Sequence, residues 1–186
     1  MPRNANPMGD APMVGGKRRI DRVLATDFDE GLEGLDLDEV RRRRDLSRAE
    51  RDYLSFLRRL LQGRRDILRD ELDRRESGGE AGSLVERVTA VLAEGTRGPS
   101  RGEAVVIPVP EDEISLARRR VERLLSDARL SDMEGLSDDE LRETVERIEE
   151  EERRISEARA AVLRVHDRLQ EELKNRFRVQ HKGLRA

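Results

Sequence analysis

A strict alternation of four-residue and three-residue steps limits what this chain can fold into. From Leu141 it runs through Val145, Ile148, Glu152, Ile155, Arg159, Val162, His166, Leu169 and Leu173 without a break. Steps of that kind keep one face of a helix turned toward a partner helix. A matching seam runs Leu37, Val40, Arg44, Ser47, Arg51, Leu54, Arg58, Leu61, Arg65, Leu68 and Leu72. Both seams are apolar at their ends and polar in the middle. A polar centre where a coiled coil wants apolar side chains needs a reason.

Composition fits this reading. Of 186 residues, 42% are charged, 35% hydrophobic and 2% aromatic. That is too little large apolar material for a compact globule, but enough for long helices that bury a narrow seam. The expected fold is all-α: a long antiparallel two-helix coiled coil with two short helices in the connection. A net charge of −3, with both signs interleaved, argues against direct nucleic-acid binding, which needs a basic surplus. The absence of cysteine removes disulfide and thiolate chemistry and fits a reducing cytoplasm. No apolar run approaches a membrane span and no apolar leader opens the chain, so a cytoplasmic protein with no membrane partner is expected.

Residues 1–16 lack periodicity and read as a disordered tail, and residues 17–178 as one helical domain. Ile20, Val23, Leu24, Phe28 and Leu32 make a lead-in arm that packs on the main helices or joins a partner surface. Asp36 or Asp38 caps the first long helix, about 38–75, and Ser77-Gly78-Gly79 ends it. Its one internal glycine, Gly63, costs about 1 kcal/mol relative to alanine. Ser83 with Glu86 reads as a capping box for a short helix, about 84–93. A second short helix covers about 111–127, with Ile114, Val121, Leu124 and Leu125 turned inward. Ser137 with Glu140 opens the last helix, about 138–177, and residues 179–186 read as a frayed tail.

The polar centres contain a repeat. Arg51, Ser55, Arg58, Gln62 and Asp66 recur 101 positions later as Glu152, Ser156, Arg159, Leu163 and Asp167. Flanking residues recur at the same offset, among them Asp38 with Asp139, Leu68 with Leu169 and Leu72 with Leu173. Steps of four, three, four and four place each set on one helical face. Antiparallel helices would bring the two sets together under a pseudo-twofold axis.

Arginine suits bidentate contact with phosphate or with the O6/N7 edge of guanine. An aspartate accepts from the N1 and N2 donors of guanine, and a serine suits phosphate or ribose oxygens. Two such faces fit a symmetric ligand with two guanines and two phosphates. The same residues also fit a solvated ladder of i,i+4 ion pairs worth a few tenths of a kcal/mol each. Chemistry alone leaves both readings open.

Both sets resemble the E-x3-S-x2-R-x3-Q-x3-D repeat of the RsiG family, actinobacterial anti-sigma factors that bind cyclic di-GMP. The stretches LSFLRRLLQGRRDILRDEL and LSDDELRETVERIEEEERRIS share the family's character, and the resemblance runs from about Lys17 to Phe177. It implies that Ser55, Arg58, Gln62 and Asp66, with Glu152, Ser156, Arg159 and Asp167, bind cyclic di-GMP as an intercalated dimer, and that no cofactor is needed. It implies further that the loaded protein sequesters a sigma factor of the flagellar or sporulation type and so represses transcription. Two positions depart from the pattern. Arg51 replaces the leading glutamate and adds positive charge beside a phosphate-rich ligand, so it stays among the binding residues. Leu163 replaces the glutamine and loses one polar contact, about 1 kcal/mol.

The rival to a messenger-dependent anti-sigma factor is a ligand-independent structural or dimerisation coiled coil. A weaker third is a helical protein that contacts RNA polymerase or DNA directly. His166 and His181 have no second ligand at metal spacing, and no nucleophile has a base beside it, so neither a metal site nor an enzyme is expected.

Overall fold

The structure, a computed structural model, describes residues 18–78, 109–125 and 135–183. Every regular element among these residues is helical: α1 (Arg19–Val23), a 3₁₀ turn (Leu32–Gly34), α2 (Leu37–Glu76), α3 (Glu111–Leu124) and α4 (Asp138–Gly183). The two long helices match the two seams; α4 continues six residues past its expected end at 177, and α3 stops three short of 127. The helix expected at about 84–93 and the tail 1–16 lie outside the described residues. The chain divides into two compact units, Met1–Leu54 with Ser156–Ala186, and Ser55–Ile155. Both long helices contribute to each.

In the first unit α2 and α4 run antiparallel. Ser47 of α2 meets His166 of α4, and Arg176, farther along α4, reaches Leu35 just ahead of α2. Val40 and Leu54 of α2 are buried, as are Val162, Val165, Leu169 and Leu173 of α4. Each such side chain contributes roughly 1.5–3 kcal/mol. The lead-in arm packs here, burying Ile20, Val23 and Leu32 and leaving Leu24 exposed. Its irregular backbone carries carbonyls without helical partners, and arginines of the long helices supply donors. Arg43 donates to the carbonyls of Phe28 at 2.7 Å and Asp27 at 3.2 Å, and Arg176 to those of Leu35 and Leu32. Arg168 pairs with Asp29, and Arg19 reaches across to Glu50 at 2.5 Å. Asp36 caps α2, accepting from the Glu39 N–H at 2.6 Å.

The second unit is a three-helix packing. α2 and α4 are again antiparallel: Gln62 meets Glu152, Arg69 meets Glu149, and Arg75 meets Asp138. Leu57, Leu61 and Leu68 of α2 and Leu141, Ile148 and Ile155 of α4 are fully enclosed. α3 adds Ala117 and Val121 to this core and Leu125 joins them just past its end, while Ile114 and Leu124 are half-buried. Polar bonds tie α3 to α4: Arg120 to Glu151 at 2.6 Å, and Arg147 to the Leu124 carbonyl at 2.8 Å. At the start of α4 the Ser137–Glu140 capping box is complete, with Ser137 N–H donating to Glu140 Oε2 and Glu140 N–H to Ser137 Oγ. At the end of α2, Gly78 takes φ +61°, the left-handed conformation that stops a helix and suits glycine.

Candidate functional site

The division between units falls inside each motif copy. Ser55, Arg58, Gln62 and Asp66 belong to the Ser55–Ile155 unit, together with Glu152; Arg51, Ser156, Arg159 and Asp167 belong to the other.

Within the Ser55–Ile155 unit, Gln62 and Glu152 meet. Nε2 of Gln62 donates to Glu152 Oε1 at 2.5 Å, and Arg65 Nη1 donates to Glu152 Oε2 at 2.8 Å. Arg65 turns its other edge to Asp66, with Nε and Nη2 donating to Oδ1 at 3.0 and 2.8 Å. Four polar side chains thus form one closed network on a half-buried surface. Burial acts to lower the pKa of Arg65, but Asp66, Glu152 and Glu149 outweigh it and hold the guanidinium more firmly charged than usual.

Arg58 differs. Its side chain is half-buried one turn before the enclosed Leu61, yet it makes no hydrogen bond or ion pair among the described residues. A charge on a partly desolvated helix face without a counter-charge is costly, and an anion from outside would offset that cost. Ser55, on the same helix, is also half-buried.

In the first unit Arg51 folds back along its own helix onto the neighbouring Asp52, with Nη2 to Oδ1 at 2.8 Å. Ser156 and Arg159 are half-buried on α4. Asp167 is exposed and has no hydrogen bond or ion pair among the described residues. Beside it, His166 turns Nδ1 toward Ser47 at 3.2 Å. Burial lowers the pKa of His166 and the charge of Arg51 lowers it further, so the ring is neutral at pH 7.

Arg65, Ser47 and His166 are absent from the set of site residues drawn from the sequence, although all three lie in the seams. One signal was present: Arg65 stands immediately before Asp66, and 101 positions later His166 stands immediately before Asp167.

Residues 26–92 match the model of the RsiG-like family, which spans the whole first motif and stops before the second. That is the family the repeat resembles. No curated protein matches the chain. Among the described residues, no helix is long and apolar enough to cross a membrane.

Proposed function

We propose that this protein is an anti-sigma factor that binds cyclic di-GMP through the duplicated motif on α2 and α4, and that the loaded form sequesters a sigma factor. The observation that carries the reading is Arg58, a half-buried arginine without a partner among the described residues, at the motif's arginine position. A phosphate or a guanine O6/N7 edge supplies the acceptors it lacks. The family match over residues 26–92 supports the anti-sigma role, and the match includes Ser55, Arg58, Gln62 and Asp66. In this reading Asp66 and Asp167 take guanine donors, Ser55 and Ser156 take phosphate or ribose oxygens, and Arg51 adds positive charge. The sigma factor is of the flagellar or sporulation type.

Calorimetric titration of the full chain with cyclic di-GMP tests the proposal. Saturable heat is expected, together with a rise in Tm that grows with ligand concentration. Replacing Arg58 and Arg159 together with alanine should abolish both signals. No heat and no stabilisation at high ligand would sink the sensor reading.

The ligand-independent coiled coil remains the second reading because Arg65, Gln62, Glu152 and Asp66 satisfy one another without any ligand. It predicts a flat titration and a partner complex that forms equally well without the nucleotide.

A further inference from the structure

The two motif copies differ at the residue preceding the aspartate, and the difference reaches the site. Arg65 holds one oxygen of the Asp66 carboxylate, Oδ1, with two N–H groups from one edge of its guanidinium, Nε at 3.0 Å and Nη2 at 2.8 Å. Its remaining nitrogen, Nη1, holds Glu152 at 2.8 Å. A guanine base presents a carboxylate with the same kind of group, a planar pair of parallel N–H donors at N1 and N2. A guanine so bound uses both carboxylate oxygens, so it cannot settle on Asp66 while Arg65 holds Oδ1. In the second copy the corresponding residue is His166, which is turned to Ser47 and leaves Asp167 open.

We infer that Arg65 is a built-in competitor for the ligand: its guanidinium takes carboxylate oxygens of Asp66 and Glu152 that a guanine would need, and a guanine can bind there only after Arg65 is released. The inference rests on the proposed binding of a guanine nucleotide and adds a regulatory residue to it. While no ligand is present, Arg65 keeps two carboxylates on the half-buried face paired, which limits the cost of desolvating them. When ligand arrives, the ion pairs must be given up, so the site at Asp66 and Glu152 binds more weakly than its own contacts would allow. Asp167 has no such competitor among the described residues. The sites therefore fill in order, Asp167 before Asp66, and Arg65 sets the nucleotide concentration at which filling is complete.

The experiment compares cyclic di-GMP titrations of the wild-type chain and of Arg65→Met, which keeps the length and apolar stem but removes the donors. The variant should bind about tenfold more tightly at its weaker step, the worth of one charge-assisted interaction no longer in competition. Its ligand-free Tm should fall. A purely structural arginine would lower Tm and leave affinity unchanged or weaker, and that outcome in a chain whose wild type binds would overturn the inference alone. Arg65→Lys retains the charge without the planar pair and guards against a misfolded Met variant. It should bind more tightly than wild type by a smaller factor, and equal or weaker binding counts against the inference. Absence of binding in wild type and both variants would overturn the functional reading and this inference with it.

Discussion

Oγ of Ser47 lies 3.2 Å from Nδ1 of His166 and gives its own proton to the Arg44 carbonyl, 2.7 Å away. A hydroxyl has one hydrogen, so when it goes to the carbonyl the ring donates to Oγ through Nδ1–H. In that arrangement Nε2 of His166 is left as an acceptor. The pair bridges α2 and α4 in the first unit, where the apolar seam is interrupted. Ser47 is fully buried, which makes this bond costly to lose.

The first prediction concerns acid. The folded pKa of His166 lies below its ordinary 6.5, from burial first and then from the charge of Arg51, while a hydrogen bond to the Arg44 backbone and the charge of Asp167 oppose the drop and the Arg44 charge adds the least to it. Below pH 6.5 the unfolded chain therefore binds a proton that the folded chain resists. Stability is complete above pH 6.5 and falls as pH drops toward and through the lower folded value. Urea denaturation between pH 5 and 7.5 should show this loss in wild type, while His166→Gln should flatten the curve. An unchanged slope in the variant would assign the acid sensitivity elsewhere.

Much of the fold was legible because burial follows spacing. The seam residues Val40, Leu54, Leu61, Leu68 and Leu72 are buried as their steps require, and so are Leu141, Val145, Ile148, Ile155, Val162, Leu169 and Leu173. Caps at Asp36 and Ser137 were legible as local hydrogen-bond chemistry. The arm was legible as an amphipathic stretch, but the bonds from Arg43 and Arg176 to its carbonyls follow no period. The candidate site was legible only as a pattern of residue types. In a chain this rich in arginine and glutamate, partner choice depends on rotamers and on the facing helix. Spacing alone did not reveal that Arg65 takes Glu152 and Asp66 while Arg58 takes neither.

The capping box yields a second prediction. Glu140 accepts from the Ser137 backbone N–H, which holds its carboxyl below the ordinary 4.5, and the Ser137 hydroxyl adds to the effect. This contribution is full above pH 4.5 and disappears as pH falls through the lower folded value. Ser137→Ala should lower Tm by about 2–4 °C at pH 7 through loss of the cap. Thermal scans at pH 7 and pH 3.5 should show the difference between variant and wild type shrinking in acid.

Two ion pairs of the second unit should behave differently. Glu71 is almost wholly buried and accepts from Arg74 and Arg75, and Arg75 also binds the Leu136 carbonyl and Asp138. Arg75→Met should cost roughly 2 kcal/mol, less than the roughly 3–5 kcal/mol of a fully stripped buried charge, because Arg74 remains. Arg69 pairs with Glu149 in solvent, and Arg69→Met should cost about 0.5 kcal/mol or less. Chemical denaturation of both variants measures the contrast, and equal losses would contradict the burial argument.

Arg58 gives the last prediction, in which stability and function move in opposite directions. The residue lies on the seam one turn before Leu61, and no carboxylate among the described residues answers its charge. If the arginine is there for a ligand, the ligand-free fold carries its desolvation cost without return. Arg58→Leu converts that position into an ordinary apolar seam residue of the kind found at Leu54 and Leu61. The variant should then be more stable than wild type by about 1 kcal/mol in the absence of nucleotide. It should also lose the heat of cyclic di-GMP binding. Denaturation and titration on the same preparation separate the possibilities. A stabilised variant that still binds ligand would remove Arg58 from the site, and a destabilised one would mean that the arginine holds the fold itself.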